Sequence, residues 1–522
     1  MKLAVPDRLR PSRRQLPAGG WRWVGLVSGM VLAAASWFCA AVPADYPTVW
    51  PGIEPWRAVG GSPLAASAVL AGLAAMLYAW WAVRDLDVTV RWLRVTAALW
   101  FGPLVLSAPL FSRDVYSYAV QGLMLHEGLD PYSQQVSALH SPWAASAPAT
   151  TTPAPYGPLF LHVARLAAAA SGGHLLVAVF LLRLLAFVGV VVIAWAVPLI
   201  AQRLGANPTN ATWLVVLSPL LGVHLVSGAH NDAVMVAGVL AGMALAVSGQ
   251  PGWALLPLAL ATTVKAPAAV VVPFVAVLWA SSHVGDGGRQ LGWRAVTWTR
   301  LLSRLALAGL ATAAVVVGVS LALRLGLSWL TALSSPAQSV QWTSAPTAWG
   351  MTVRAVGDLL GVASADRAVS LFRLLGLVLL AAILIVLWLH AAEHHRDRRL
   401  VVQSAGLAVL AVLVLAPSFR AWYFLWALPL LAVTTRDRRA LTAYAAVASV
   451  LAFAVLPGGY SLALTTTWVG VPLMVLASAL LLRRGMQWAG GQRWRDVLAL
   501  EPTAAGPAAG SDPTEPNVIP DR

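Results

Sequence analysis

Hydrophobic positions in this chain come in long unbroken blocks separated by short polar segments. Apolar runs fall at about 22–42, 63–83, 92–110, 175–199, 211–226, 231–248, 301–325, 369–390, 401–416, 422–434, 440–456 and 464–482. A helix rising ~1.5 Å per residue needs about 20 mostly apolar residues to cross the hydrocarbon layer, so these runs predict membrane-spanning helices. A further stretch at 252–281, WALLPLALATTVKAPAAVVVPFVAVLWAS, is interrupted near Lys265–Pro267. Proline removes a backbone donor and disfavours helix at the residue before it, which predicts a bent hairpin of two short helices. The segment 157–172 is expected to be re-entrant or interfacial. No internal repeat is visible.

The polar segments sort by charge. Arginines cluster in the N-terminal tail, in VRDLDVTVRWLR (83–94), at Arg203, in GGRQLGWRAVTWTR (287–300), HHRDRR (394–399) and TRDRR (435–439), and at 483–484. Cytosolic loops carry such an excess, so these segments are expected inside. The same count places 43–61, 111–156, 326–368 and the turn at 417–421 outside. The pattern predicts a basic cytosolic tail over 1–20, a membrane body over 21–485 and a cytosolic tail over 486–522. The last 22 residues of that tail, EPTAAGPAAGSDPTEPNVIPDR, are rich in Pro, Ala and Gly without periodicity, a composition that favours disorder. A cleaved signal peptide would also set basic residues ahead of an apolar run, with AVPA at 41–44 as its processing site. The run is long for that purpose and many spans follow, so an uncleaved first helix is expected.

Composition agrees with the pattern. The chain has 522 residues, 59% hydrophobic and only 11% charged, with a mean hydropathy of +0.74, far from a soluble domain's usual quarter of charged residues. The net charge of +15 does not imply nucleic acid, because the arginines are dispersed among membrane loops. Cys39 is the single cysteine, which excludes a disulfide framework and a thiolate metal site.

Four places carry candidate chemistry. In SRDVYSYAVQGLMLHEGLDPY, a helix starting at Asp114 puts Asp114, Ser117 and Gln121 on one stripe and Tyr116, Val120, Leu123 and Met124 on another, as in a helix lying in the membrane interface. A carboxylate held there could act as a general base, or Asp114 could simply cap the helix. In GAHND, the adjacent His230, Asn231 and Asp232 sit at a membrane turn, where polar groups must be satisfied or used. Metal ligation at this turn is possible but poorly supported, since no spaced carboxylate and histidine set accompanies it. Lys265 in TTVKAP needs a partner, either Asp232, a carbonyl or a lipid phosphate. In PSFRAWYFLW, Arg420 stands beside Trp422 and Tyr423, which suits a phosphate at the headgroup layer or an ordinary aromatic belt with a snorkelling arginine. Arg183, inside an apolar run, is a weaker ion-pair or phosphate candidate. Gln338, Gln341, Trp342 and Trp349 interleave amides with aromatics, a combination that binds sugars.

SRDVYSYAVQG, GLDPY, PAPYGPLFL, GAHNDAVMV, TTVKAP and APSFRAWYFLWALPLL together resemble the actinobacterial polyprenol-phosphate-mannose-dependent α-1,6-mannosyltransferases, in order from about residue 90 to 480. The resemblance implies an all-α polytopic GT-C bundle of about 12–14 transmembrane helices with an outer-face interfacial helix. It implies a multi-pass protein of the bacterial inner membrane, with its active site on the extracytoplasmic face. There it would move mannose from a polyprenyl-phosphate-mannose donor to a mannosylated phosphatidylinositol-type glycolipid. The product is the α-1,6-linked core of lipomannan and lipoarabinomannan, formed with inversion. Asp114 becomes the catalytic base; Arg113, Lys265 and Arg420 face the donor phosphate; and Tyr118, Gln121, Tyr156, His230, Asn231, Asp232, Trp342 and Trp422 contact substrate. The loop lacks the acidic pair of metal-using GT-C relatives, so no metal and no cofactor are expected. A lipid or solute transporter and a GT-C enzyme using another lipid-linked sugar are the competing readings. Against the transporter stand the missing inverted repeats and the large interfacial loop.

Overall fold

The computed structural model describes residues 16–40, 62–147, 153–282, 293–335, 340–362 and 365–491. Loop 43–61, much of the N-terminal tail, Gln338 and the C-terminal tail therefore lie outside the described residues. The chain divides into two compact units, Met1–Met474 and Val475–Arg522.

Except that 92–110 is α-helical only to Phe101 and ends in a 3₁₀ turn and irregular chain, the apolar runs predicted from the sequence fall on helices. In chain order these are α1 (Ala18–Cys39), α2 (Pro63–Val83), α3 (Val90–Phe101), α4 (Asp114–His126), α5 (Pro158–Ala170), α6 (Leu175–Arg203), α7 (Pro208–Val215), α8 (Pro219–Leu221), α9 (Asp232–Val247), α10 (Leu255–Thr262), α11 (Val272–Ser281), α12 (Trp293–Ala322), α13 (Trp329–Ala332), α14 (Ala345–Leu359), α15 (Ala368–Glu393), α16 (Arg398–Leu415), α17 (Phe424–Ala432), α18 (Arg438–Ala452) and α19 (Thr467–Gly491). Among the described residues the only β feature is an isolated bridge between Val455 and Ser461. This is an all-α polytopic membrane protein.

The runs differ in length. Six are long and apolar enough to span alone: Ala18–Cys39, Pro63–Val83, Leu175–Arg203, Trp298–Ala322, Ala368–Glu393 and Arg398–Leu415. Pro208–Val215 and Pro219–Ser227 form a seventh if joined across their 44° bend, and five further apolar helices have 10–17 residues. Beyond the bend, the second helix ends in a wide helical turn at Gly222–Ser227. The 252–281 hairpin breaks where expected. Helix α10 ends at Thr262, Lys265 is extended, and a 3₁₀ turn at Ala266–Val271 leads into α11.

Helix starts follow local chemistry. Asp397 and Asp437 each accept two backbone N–H groups at the starts of α16 and α18, and Ser62 and Thr89 cap α2 and α3. Near the basic ends Trp80 and Trp213 stack, each indole donating to the other's carbonyl at 2.8 Å.

Two close approaches place the site. Helix α4 packs on α5 and α6, and a Cβ on Gly122 would lie 2.3 Å from the Ala164 carbonyl oxygen. Tyr116, Val120 and Met124 are buried against protein, so the apolar face of α4 forms a wall of the bundle instead of resting on lipid. The PYGP turn docks on the TTVKAP break: Gly157 N donates to Val264 O (3.0 Å) and Leu159 N to Thr263 O (3.1 Å). A Cβ on Gly157 would meet Thr263 O at 2.1 Å, and a backbone atom cannot swing aside. Gly157→Ala is therefore expected to lower stability by about 2 kcal/mol or more, read as a reduced melting temperature of the purified protein.

Candidate active site

Three of the segments expected outside come together. Phe111–Asp114, Ser117, Gln121 and Pro155–Tyr156 from the first meet Ser335, Trp342 and Thr343 from the second and Ser418–Tyr423 from the turn, around a cavity of about 910 Å³. The charged groups lining it are Arg113, Asp114 and Arg420, an excess of one positive charge.

Asp114 opens into this cavity. It is the first residue of α4, with Arg113 at the cap position and no side-chain cap bond. Its own N–H donates to Ser112 Oγ at 3.1 Å. The capping role is thus not taken, and the carboxylate is left for other work. Its side chain is 33% exposed, towards the cavity, and Oδ2 lies 3.6 Å from His230 Nδ1. Burial among protein walls raises its pKa, while the Arg420 and Lys265 charges oppose that rise and Asp232 adds to it. Helix α4 is not among the helices long and apolar enough to span.

Behind Asp114 lies a buried polar cluster contributed by GAHND and TTVKAP. His230 Nδ1 also lies 4.0 Å from Asp232 Oδ2. Two carboxylates thus lie near that nitrogen. Asp232 Oδ1 accepts from Lys265 Nζ at 2.9 Å and from Trp426 Nε1 at 2.5 Å. The Lys265 ammonium lies 4.7 Å and 5.0 Å from the Tyr423 and Trp426 ring centres, a cation–π cage in a dry setting. His230 stacks on Trp422 with centroids 3.9 Å apart. The Tyr118 hydroxyl lies 3.4 Å from both His230 Nδ1 and Asn231 Oδ1.

These contacts separate the predicted residues into two groups. Asp114, Arg113, Arg420, Gln121, Tyr156, Trp342 and Trp422 line the cavity. His230, Asn231, Asp232, Tyr118 and Lys265 are buried beneath it, where they support the wall without lining it. Lys265 is committed to Asp232 rather than turned towards a phosphate, because a buried ammonium stays charged only beside a counter-charge. Gln341 accepts from Arg420 Nη1 at 3.2 Å, holding that guanidinium in place. Trp349 stacks on Phe372, outside the cavity lining. Among the described residues Arg183 has no ion-pair partner, and it does not line the cavity. It donates to the carbonyls of Val105, Ser107 and Ser227 and so ties the chain entering the first loop to the GAHND turn.

Three buried atoms in the cavity wall have no partner among the described residues: Arg113 Nε, Gln121 Oε1 and Trp422 Nε1. These atoms have almost no exposed surface, so they turn into the wall rather than towards the cavity.

Sequence reading missed part of the wall. The turn 454–462, bridged between Val455 and Ser461, carries Gly459 against Arg113 and accepts the Phe111 N–H at Pro457 O (3.1 Å). The PGG at 457–459 marks a turn, but nothing local ties it to a loop over 340 residues earlier in the chain. Phe111 (φ 60°) and Ala229 (φ 51°) both adopt the left-handed conformation, beside Asp114 and His230 respectively. For residues other than glycine this costs about 1–2 kcal/mol each, and the site's packing holds it. Trp426 could have been found, since it stands one helical turn from Trp422.

Comparison with known proteins bears on most of the chain. Residues 22–281 match the family described as alpha-(1->6)-mannopyranosyltransferase, N-terminal domain, and residues 346–484 match the MptB C-terminal domain. Alpha-(1->6)-mannopyranosyltransferase A of Mycobacterium tuberculosis is 32% identical over 438 residues, covering 82% of this chain and 83% of that protein. A probable alpha-(1->6)-mannopyranosyltransferase of Mycolicibacterium smegmatis is 34% identical over 371 residues, 65% of each chain. Alpha-(1->6)-mannopyranosyltransferase B of Corynebacterium glutamicum is 28% identical over 399 residues, 74% of this chain and 66% of that one. No solved structure matches. Family matches to both halves of the chain, together with 82% of its length aligned to one mannosyltransferase, lead to one conclusion: this chain belongs to the alpha-(1->6)-mannopyranosyltransferase family.

Proposed function

We propose that this chain transfers mannose from a polyprenyl-phosphate-mannose donor to a mannosylated glycolipid. The new bond is α-1,6, formed with inversion on the outer face of the inner membrane, and residues 21–485 make up the transferase body. The observation that carries the reading is one partly exposed carboxylate, Asp114, sharing with two arginines, Arg113 and Arg420, a cavity whose lining includes Tyr156, Trp342 and Trp422. A base, phosphate-binding cations and sugar-stacking surfaces are what this reaction needs.

In the step proposed, the acceptor's 6-hydroxyl oxygen attacks C1 of the donor mannose as the bond from C1 to the phosphate oxygen breaks. The hydroxyl proton passes to Asp114, and the electron pair of the broken bond leaves on polyprenyl phosphate. Arg113 and Arg420 neutralise that charge through forked N–H donors. One base and no covalent intermediate give inversion, from a β-linked donor to an α-linked product. With both cations supplied by arginine, no divalent ion is required. His230, held between Asp114 and Asp232, keeps the base oriented. Arginine-rich loops at the other end of the bundle support the outward orientation of the cavity.

The test is transfer of radiolabel from polyprenyl-phosphate-mannose into glycolipid by the purified protein, with and without a chelator. Label should appear in an α-1,6 linkage at the same rate in both. Absence of transfer from this donor would refute the donor assignment, and a chelator-sensitive rate would refute metal independence.

Asp114 works as the carboxylate, so the rate falls as pH drops through its pKa, and the acid limb should lie above the ordinary aspartate value of about 3.9. Arg420 holds that pKa down. Arg420→Gln should move the acid limb to higher pH and slow turnover about a hundredfold or more. A pH–rate profile of both proteins measures the two effects.

A further inference from the structure

Helix α16 runs from Asp397 at its cap to the cavity segment at Ser418. At ~1.5 Å per residue its 18 residues set the two ends about 27 Å apart, close to the thickness of a hydrocarbon core. At the far end lies a second concavity of about 470 Å³, lined by Arg203, Arg396, Arg398, Arg399 and Arg436 with Asp397 as its one carboxylate. We propose that this concavity is a phosphate-binding site, filled by the headgroup of an anionic phospholipid or by a free phosphate ester.

Cytosolic arginines need only be scattered to orient a membrane protein. Here they converge from three segments far apart in sequence. Three of the guanidiniums are held by backbone carbonyls: Arg398 Nη1 donates to Val247 O (3.2 Å), Arg399 Nε to Thr434 O (2.6 Å) and Arg436 Nε to Gly205 O (3.0 Å). Each keeps further N–H groups for a ligand, and little freedom is lost when one binds. Asp397 does not neutralise the cluster. Its Oδ1 accepts from the N–H groups of Arg399 and Leu400 at 2.9 Å and 3.2 Å, and among the described residues no carboxylate lies within 4.0 Å of any of the five guanidiniums. Fixed like charges repel one another, and an oxyanion with several oxygens relieves that repulsion while satisfying the forks. The position at the ends of apolar helices favours a lipid headgroup, and the volume admits a phosphate with a sugar-sized substituent.

The experiment uses the full chain in phosphatidylcholine nanodiscs. Binding is measured for dioctanoyl phosphatidylglycerol, dioctanoyl phosphatidylcholine and inorganic pyrophosphate. Arg203→Gln/Arg396→Gln removes the two guanidiniums that hold no carbonyl, so the fold should stay intact, as an unchanged melting temperature would show. Arg91→Gln, an exposed arginine outside the concavity, controls for general loss of charge. The double variant should bind the anionic probes about tenfold or more weakly, and the control should match the wild type. Binding of phosphatidylglycerol without pyrophosphate identifies a headgroup site; binding of pyrophosphate identifies a site open to free phosphate esters. The proposal is overturned if the wild type prefers neither anionic probe to phosphatidylcholine, or if the double variant binds as the wild type does.

Discussion

Asp114→Asn is expected to reduce mannose transfer about a thousandfold or more while leaving the melting temperature of the purified protein unchanged. The substitution keeps the side chain's shape and removes only its ability to take a proton. Fold loss is not expected, because the carboxylate caps no helix, His230 Nδ1 stands 3.6 Å away, and an amide keeps an oxygen to accept from Ser112. Asp114→Glu should fall between the two, since one methylene moves the base by about 1 Å and misplacement on that scale costs on the order of a hundredfold. The readouts are single-turnover transfer from labelled donor and thermal melting. Should the asparagine variant keep more than about a tenth of the rate, Asp114 is not the base, and the cavity's other polar groups would have to be reconsidered.

Lys265→Met should have the largest effect on stability, about 3–5 kcal/mol. Asp232 is fully buried, and its remaining donor would be the Trp426 indole. A carboxylate in that setting cannot recruit water, so the lost ammonium leaves a charge with nothing to balance it. The double variant Lys265→Met/Asp232→Asn removes both charges and keeps an oxygen for Trp426. It should recover most of the lost melting temperature. Were the double variant no more stable than Lys265→Met alone, the destabilisation would come from lost packing against Tyr423 and Trp426 rather than from the broken pair. Measuring both variants for folded yield and melting separates the explanations.

How much of this site could be read before folding depended on the distance over which each residue acts. The stripe of Asp114, Ser117 and Gln121 follows from helical spacing, and all three line the cavity. The break at Lys265–Pro267 follows from proline geometry and occurs there. Lys265 needs a counter-charge on dielectric grounds, and the sequence offers Asp232 as one partner. Its withdrawal from the cavity surface was not legible, because no local pattern says which side of a turn faces the ligand. His230 and Asn231 could be marked as polar groups needing satisfaction, but their place under the wall, with His230 stacked on Trp422, depends on how α9 and the Arg420 turn meet. The apolar face of α4 showed the same limit. Its composition fits lipid and protein equally well, and only the approach of α5 at Gly122 decides between them.

By itself, the sequence determined the helical architecture, the segments that must stay in water, the break in the hairpin and the residue types able to do the chemistry. Each of these follows from short-range properties: apolar run length, proline stereochemistry and the solvation of charge. The tertiary structure alone decided that Gly459 closes over Arg113, that Arg183 clamps three carbonyls, and that arginines from three separate segments share one concavity. Those pairings join positions far apart in the chain, and they arise from packing of the whole bundle rather than from any local preference.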